Sequence, residues 1–340
     1  MRVGRTVLAL AMTAAALSFW PASGDAQDDP FPASPFPVGA AAKPETRVAF
    51  TEGPAWHPSH NVFFTDIANN RIMRLDRTGA LHTYRTPSGR ANGLLFDHDL
   101  RMIACEGGGE GGNRRLTRTE SDGSVTVLTD RFEGKRYNSP NDVAIDADGN
   151  LYFTDPRYGP RDDIEQRDAD GRDIEGVYRI DAKSGEVTRV ITHEVERPNG
   201  VAVSKDGRYL FVADNVNDGP NDGVNGARKL WRFSFAADGT LDPESGKILF
   251  NWGTDRGPDG MTLGPDGRLF VAAGFNVPNL PAETSDRYKA GIYVIHPDTG
   301  KLEAFLPVLA DMITNCTIGG PEGKTLYITA GHKLWSVPLK

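Results

Sequence analysis

Cysteine is nearly absent: Cys105 and Cys316 are the two that 340 residues contain. A small exported domain that relied on disulfides would carry more of them, and the separation of this pair matches no metal-binding pattern. We therefore expect two buried free thiols, with a single disulfide as the alternative. Basic blocks are missing as well, with Lys+Arg 38 against Asp+Glu 46 and a formal net charge of −8. Binding along a phosphate backbone needs clustered Lys and Arg, so a nucleic-acid partner is excluded. No stretch after the N-terminus keeps a helical period, and none there is apolar enough to span a bilayer. No G-x-S-x-G nucleophile elbow occurs, and neither thiol has an evident histidine partner.

One apolar run does exist, at the start. Arg2 and Arg5 precede LALAMTAAALSFW, and the small residues of PASGDAQ follow. That is the layout of a secretory signal peptide, with cleavage expected after Ala26. The chain is expected to be exported, periplasmic or secreted, with no membrane association once the signal is removed. Residues 27–43, QDDPFPASPFPVGAAAK, read as a flexible Pro/Ala-rich leader. The folded domain is expected over 44–340.

What the rest of the chain has in abundance is one repeated phrase. DADGNLYFTD (146–155) returns as SKDGRYLFVAD (204–214), GPDGRLFVAAG (264–274) and GPEGKTLYITAG (320–331). Looser copies are HPSHNVFFTD (57–66) and DHDLRMIACEG (97–107). Each is a polar turn followed by a short β-branched and aromatic run, the mark of a hairpin. Further strand pairs follow, as in GVYRIDAKSGEVTRVI (176–191). Six four-stranded units at this spacing predict an all-β, six-bladed β-propeller. The last unit holds strands near 315–319, 325–330 and 333–338, so TRVAF (46–50) is expected to close the ring as its outer strand.

A polar residue stands seven positions before each of the six turns: Glu52, Asn92, Asn141, Asn199, Asp259 and Asn315. In a propeller the first strand of each blade lines the central channel, so these positions form a ring on the axis. Asn-Gly and Asp-Gly are also ordinary turn dipeptides that an architectural repeat would repeat. Glu52 argues against that reading, because Glu is a poor turn residue. Two carboxylates and four carboxamides offer only oxygen donors, the set a hard cation takes; calcium accepts six to eight of them. Zinc would call for His or Cys.

The collinear motifs TEGPAW (51–56), GNRRLTR (112–118), NSPNDVAIDADGNLYFTDPRYG, RPNGVAVSKDG, GPDGMTLGPDG and GGPEGKTLYITA carry a resemblance to the regucalcin/gluconolactonase family of calcium-dependent propellers, and more closely to its bacterial gluconolactonase-like branch. That resemblance implies a calcium ion held by Glu52, Asn199 and Asp259, with Asn141 as a further ligand or a substrate contact. It also implies hydrolysis of a small lactone, such as a sugar lactone, or of another ester. The animal regucalcins carry Arg two residues before Asn141, where this chain has Ser139. That departure weakens any transfer of their specificity. Asn92 and Asn315 are expected to line the channel and meet substrate rather than the ion.

A metal that polarises an ester carbonyl needs one base beside it, and Asp259 is the candidate, as base or as nucleophile. Specificity is expected from loops on the face where the inner strands begin. Glu106 opens the Gly-rich loop 106–115, and Arg157 and Tyr158 follow strand FTD; all three are candidate substrate contacts. Segment 156–173 reads as a lid or as a solvated loop, DNVNDGPNDGVNG (214–226) as a second calcium loop or a plain glycine-rich one. His332 is a candidate for the channel mouth. Two rivals remain open: a phosphotriesterase-like hydrolase using the same axial metal, as in the diisopropyl fluorophosphatase and paraoxonase propellers, and a non-catalytic propeller that binds a sugar or protein. The ring of carboxylates and carboxamides speaks against the second rival, since a scaffold has no need of it.

Overall fold

Short runs such as LYFTD and LFVAA are too brief and too β-branched to prefer a helix, and Asp-Gly turns reverse them at close intervals. A computed structural model describes residues 33–217 and 226–340, and in it these runs assemble into six four-stranded antiparallel sheets. The first five follow chain order, beginning with inner strands Thr51–His57, Ala91–Phe96, Val143–Ile145, Pro198–Val203 and Pro258–Leu263. In the sixth, Ile313–Gly319, Thr325–Ala330 and Lys333–Pro338 are completed by Lys43–Arg47 from the other end of the chain. Each inner strand packs against the next in cyclic order, and the last packs against the first. The molecule is a six-bladed propeller closed by its mixed termini. Among the described residues no helix is long and apolar enough to cross a membrane.

The core is a circle of apolar clusters between neighbouring blades. Phe211, Leu230, Met261, Val271 and Tyr293 join the fourth blade to the fifth, while Tyr137, Phe153 and Tyr178 with Ile103 join the second to the third. Such seams cover both faces of each blade and leave the axis to the free edges of the inner strands and the polar residues they carry.

Two boundaries differ from expectation. The closing strand is Lys43–Arg47 rather than 46–50, since Lys43↔Ser336 and Arg47↔Lys333 set the pairing. The leader's described part is also attached to the domain. Phe36 is buried edge-on against Phe270, and the backbone N–H of Lys340 donates to Pro35 O. An aromatic ring among prolines gained more from that seam than from solvent. The signal peptide and its cleavage site lie outside the described residues, as do residues 218–225 of the second candidate calcium loop.

Candidate functional site

Five of the six expected ring residues lie on inner strands, and Asn141 stands two residues ahead of Val143–Ile145. Five are buried; Asn92 is partly exposed. The five strands share a register slip of one extra residue at or beside the ring position, as between Ala91↔Glu106 and Leu94↔Ala104. A bulge of this kind turns a side chain out of the pleat. The Asn-Gly and Asp-Gly pairs are therefore parts of bulged strands, not hairpin turns. Their glycines serve close approach: a Cβ added at Gly53 would overlap the Asn92 carbonyl, and one at Gly260 would overlap the Asn315 amide.

Two ring positions lack that glycine and are followed by Asp142 and Cys316 instead. Sequence reading passed over Asp142, although the pattern break was visible: four ring residues are followed by Gly and this one is not. Its carboxylate is buried and accepts the Val201 N–H at 3.2 Å. Burial raises its carboxyl to about 7. Burial, and then the negative charges of Asp259 and Asp142, push Glu52 well up. Asp259 is raised by burial to about 7, against the opposing pull of Arg256. Three acids thus crowd one dry place.

The amides arrange themselves around those acids. Asn315 accepts the N–H of Cys316 at 2.7 Å through Oδ1, and its side chain stabilises the ionised forms of Glu52 and Asp142. It is a wall of the channel with its oxygen engaged. Asp259 Oδ1 and Asn92 Oδ1 are buried and have no hydrogen-bond partner. Orphaned buried oxygens are uncommon and ask for an explanation, an ion among them. Among the described residues no three His, Cys, Asp or Glu side chains converge as metal ligands. The donors at the axis are two carboxylates and amide oxygens, a set that fits calcium or magnesium and not zinc.

A second device holds three of the ring residues. Asp66 and Asp155 end the second strands of the first and third blades and Asp214 is the last but one of the fourth blade's, all deeply buried. Asp66 accepts the Phe50 N–H at 3.1 Å. Asp155 accepts those of Asn138 at 2.8 Å and Ser139 at 2.7 Å, and Asp214 those of Glu196 at 3.2 Å and Arg197 at 3.0 Å. Each carboxylate grips the backbone two or three residues before Glu52, Asn141 or Asn199. The other three blades have no carboxylate at that place: Asn70 Oδ1 accepts the Arg90 N–H at 2.7 Å in the second and Asn217 Oδ1 the Gly257 N–H at 2.9 Å in the fifth, while the sixth has a backbone bond from Gly331 to Met312 O.

The loop residues fare differently from one another. Tyr158 reaches the ring, since its hydroxyl accepts the Asn199 amide N–H at 2.8 Å. Glu106 is engaged elsewhere, with Arg85 at 2.9 Å, Arg115 at 2.8 Å, Thr117 at 2.9 Å and Asn113 at 2.6 Å. A buried carboxylate so fully paired is part of the blade. Arg157 likewise donates to Asp163 at 2.6 Å, Pro160 O at 2.6 Å and Asn138 O at 3.2 Å. The segment expected as a lid or solvated loop is anchored: Ile164 and Gln166 are buried, and Gln166 Nε2 donates to three backbone carbonyls between Phe132 and Arg136. Its charges hid that anchoring from sequence reading. His332 is exposed and bonds Ala49 O through Nδ1. Both cysteines are free and buried.

The model of the SMP-30/gluconolactonase/LRE-like region matches residues 50–332. The chain belongs to that family. A gluconolactonase from Zymomonas mobilis is 28% identical over 313 residues, covering 86% of this chain and 79% of its own length. A pentonolactonase from Haloferax volcanii is 24% identical over 290 residues, covering 84% and 82%. Among solved structures, a gluconolactonase from Xanthomonas campestris superposes with a TM-score of 0.70 at 26% identity, covering 88% of this chain and 90% of that one.

Proposed function

We propose that this protein is a lactonase that opens a small lactone, with a sugar lactone as its substrate class, at a divalent-cation site on the propeller axis. The chain is a hydrolase of the lactonase kind by its family and by the named activities of its relatives. The observation that carries the site assignment is the buried, unpartnered Oδ1 of Asp259 facing a ring of oxygen donors.

Glu52, Asn141, Asn199 and Asp259 would hold the ion, and calcium suits their all-oxygen character and limited charge. A bound calcium would supply Lewis-acid polarisation of the lactone carbonyl. Asp259 accepts a proton from a water molecule as that oxygen adds to the carbonyl carbon. The ring C–O bond then breaks, and the proton goes to the departing alkoxide, giving a hydroxy acid. Asn92, with its free buried oxygen, and Asn315 line the approach. Buried Asp142 adds negative charge without reaching substrate, which favours retention of a cation. The signal-like N-terminus supports export, with a mature chain starting at Gln27.

The test is pH-stat titration of the calcium-loaded protein against aldonolactones, aliphatic lactones and organophosphates. Turnover of aldonolactones with no turnover by Asp259→Asn supports the reading. Acid release from organophosphates alone would replace it.

A further inference from the structure

Asn199 has two chemically opposite ends, and only one of them can face a cation. A carboxamide nitrogen carries hydrogens and repels a positive ion, while its oxygen coordinates one. Something must decide which end faces the axis, and the surroundings of Tyr158 decide it.

The phenolic oxygen of Tyr158 lies 3.1 Å from the backbone carbonyl oxygen of Asn215 and 2.8 Å from the Asn199 amide. A carbonyl oxygen has no hydrogen to give, so the Tyr158 O–H donates to it. The same phenolic oxygen then presents lone pairs to Asn199 and accepts from Nδ2. The sense of this chain is fixed from its far end inward: Nδ2 of Asn199 is engaged by Tyr158 and by the Asp259 carboxylate, and Oδ1 is the end left to coordinate. The relay is itself held. Asn215 donates through Nδ2 to Pro258 O at 2.7 Å, next to Asp259, and its own N–H donates to Arg197 O at 3.0 Å. The Arg197 guanidinium lies over the Tyr158 ring, 5.3 Å from its centre. Residues from the third, fourth and fifth blades are thereby joined through one hydroxyl. Asn141 has no such holder, for its side chain makes no hydrogen bond among the described residues, whereas Asn315 has its oxygen turned to backbone.

We infer that Tyr158 is a positioning residue: it orients the Asn199 amide so that Oδ1 is offered to the cation. This rests on the cation reading given above. Partners that orient a ligand from outside it commonly contribute 10–100-fold in metal affinity or activity, and Tyr158 has that place here.

Calcium affinity measured by calorimetry on the full mature protein is the readout. Tyr158→Phe keeps the aromatic ring and removes the hydroxyl. The dissociation constant should rise about tenfold or more, with the melting temperature of the chelator-treated protein little changed. Asn199→Asp supplies the control, because a carboxylate has two equivalent oxygens and needs no orientation. In the Asn199→Asp background, Tyr158→Phe should change calcium affinity less than about twofold. Wild-type-like affinity in Tyr158→Phe overturns the inference. So does an equal loss in both backgrounds, which would mean that Tyr158 acts through the fold. Absence of calcium binding by the unmodified protein would instead remove the cation reading on which the inference stands.

Discussion

Blades one, three and four differ from blades two, five and six at a single junction, and the difference follows the chemistry of the axis. In the first group a buried aspartate, Asp66, Asp155 or Asp214, grips the chain just before the ring residue. In the second no carboxylate does so: Asn70 Oδ1 accepts the Arg90 N–H, Asn217 Oδ1 accepts the Gly257 N–H, and blade six has a backbone bond from Gly331 to Met312 O. A carboxylate that accepts backbone N–H groups fixes the approach of a strand more tightly than a neutral amide or carbonyl oxygen does, since charge-assisted bonds are the stronger kind. Blades one, three and four present Glu52, Asn141 and Asn199. Those are three of the four residues assigned to the ion, and Asp259 alone comes from the looser group. Burying an aspartate is costly, so three of them at equivalent places mark where position matters most.

The sharpest way to test this division is at the ring itself. Glu52→Gln and Asp259→Asn should each lower turnover by at least about 100-fold, the scale of losing a positioned base or a charged donor. For Asp259→Asn the assay must run at saturating calcium, so that lost chemistry is not confused with lost metal. Asn315→Ala, from the looser group and with its oxygen already engaged, should keep most of the metal. Elemental analysis of the purified variants separates these cases, and a metal-free Asn315→Ala would merge the two groups.

Next in size is the grip. Asp155→Ala leaves the Asn138 and Ser139 N–H groups buried without acceptors, at about 1–3 kcal/mol each. Denaturant melts should show a loss of about 2–6 kcal/mol by that reasoning, and calcium affinity should fall with it. Ala330→Gly, at the matching place of the sixth blade, should leave calcium affinity unchanged. Equal losses in both would erase the contrast.

Much of this site could be read from the sequence. The ring was visible because blades repeat, so that Glu52 and Asp259 stand in register with four asparagines. The clamps were visible only as the shared endings FTD, FTD and VAD, with no hint that their carboxylates turn back onto backbone. Asp142 was hidden by its neighbour, since Asn141 filled the repeat and Asp142 looked like an ordinary residue before a strand. Glu106 and Arg157 misled for a physical reason. A charged residue in a loop near the site reads as a substrate contact, yet each is paired with an opposite charge, Glu106 with Arg85 of the preceding blade and Arg157 with Asp163 six residues on in its own segment.

A smaller effect concerns pH. Burial raises Asp142, Asp155 and Asp259 to about 7 and Asp214 to about 6, and it raises Glu52 as well. Unfolded carboxyls titrate near 4, so the folded chain holds more protons between the two values. Stability from these groups is fully present below about pH 4 and is lost as pH rises through about 6–7. Chelator-treated protein should melt higher at about pH 5 than at about pH 8, and calcium should narrow the gap. A reversed order would contradict the burial of these acids. The smallest effect is none: a reductant should leave the melting curve in place, because Cys105 and Cys316 are unpaired.

Thermal melting of the wild-type protein with EDTA, and again with calcium chloride at a few hundred times the dissociation constant, tests the central claim most directly. An ion bound at the axis should stabilise the fold by about 3–4 kcal/mol under that excess, visible as a higher melting temperature that EDTA removes and calcium restores. Superimposable curves for stripped and reloaded protein would contradict the assignment of the axial ring as a cation site.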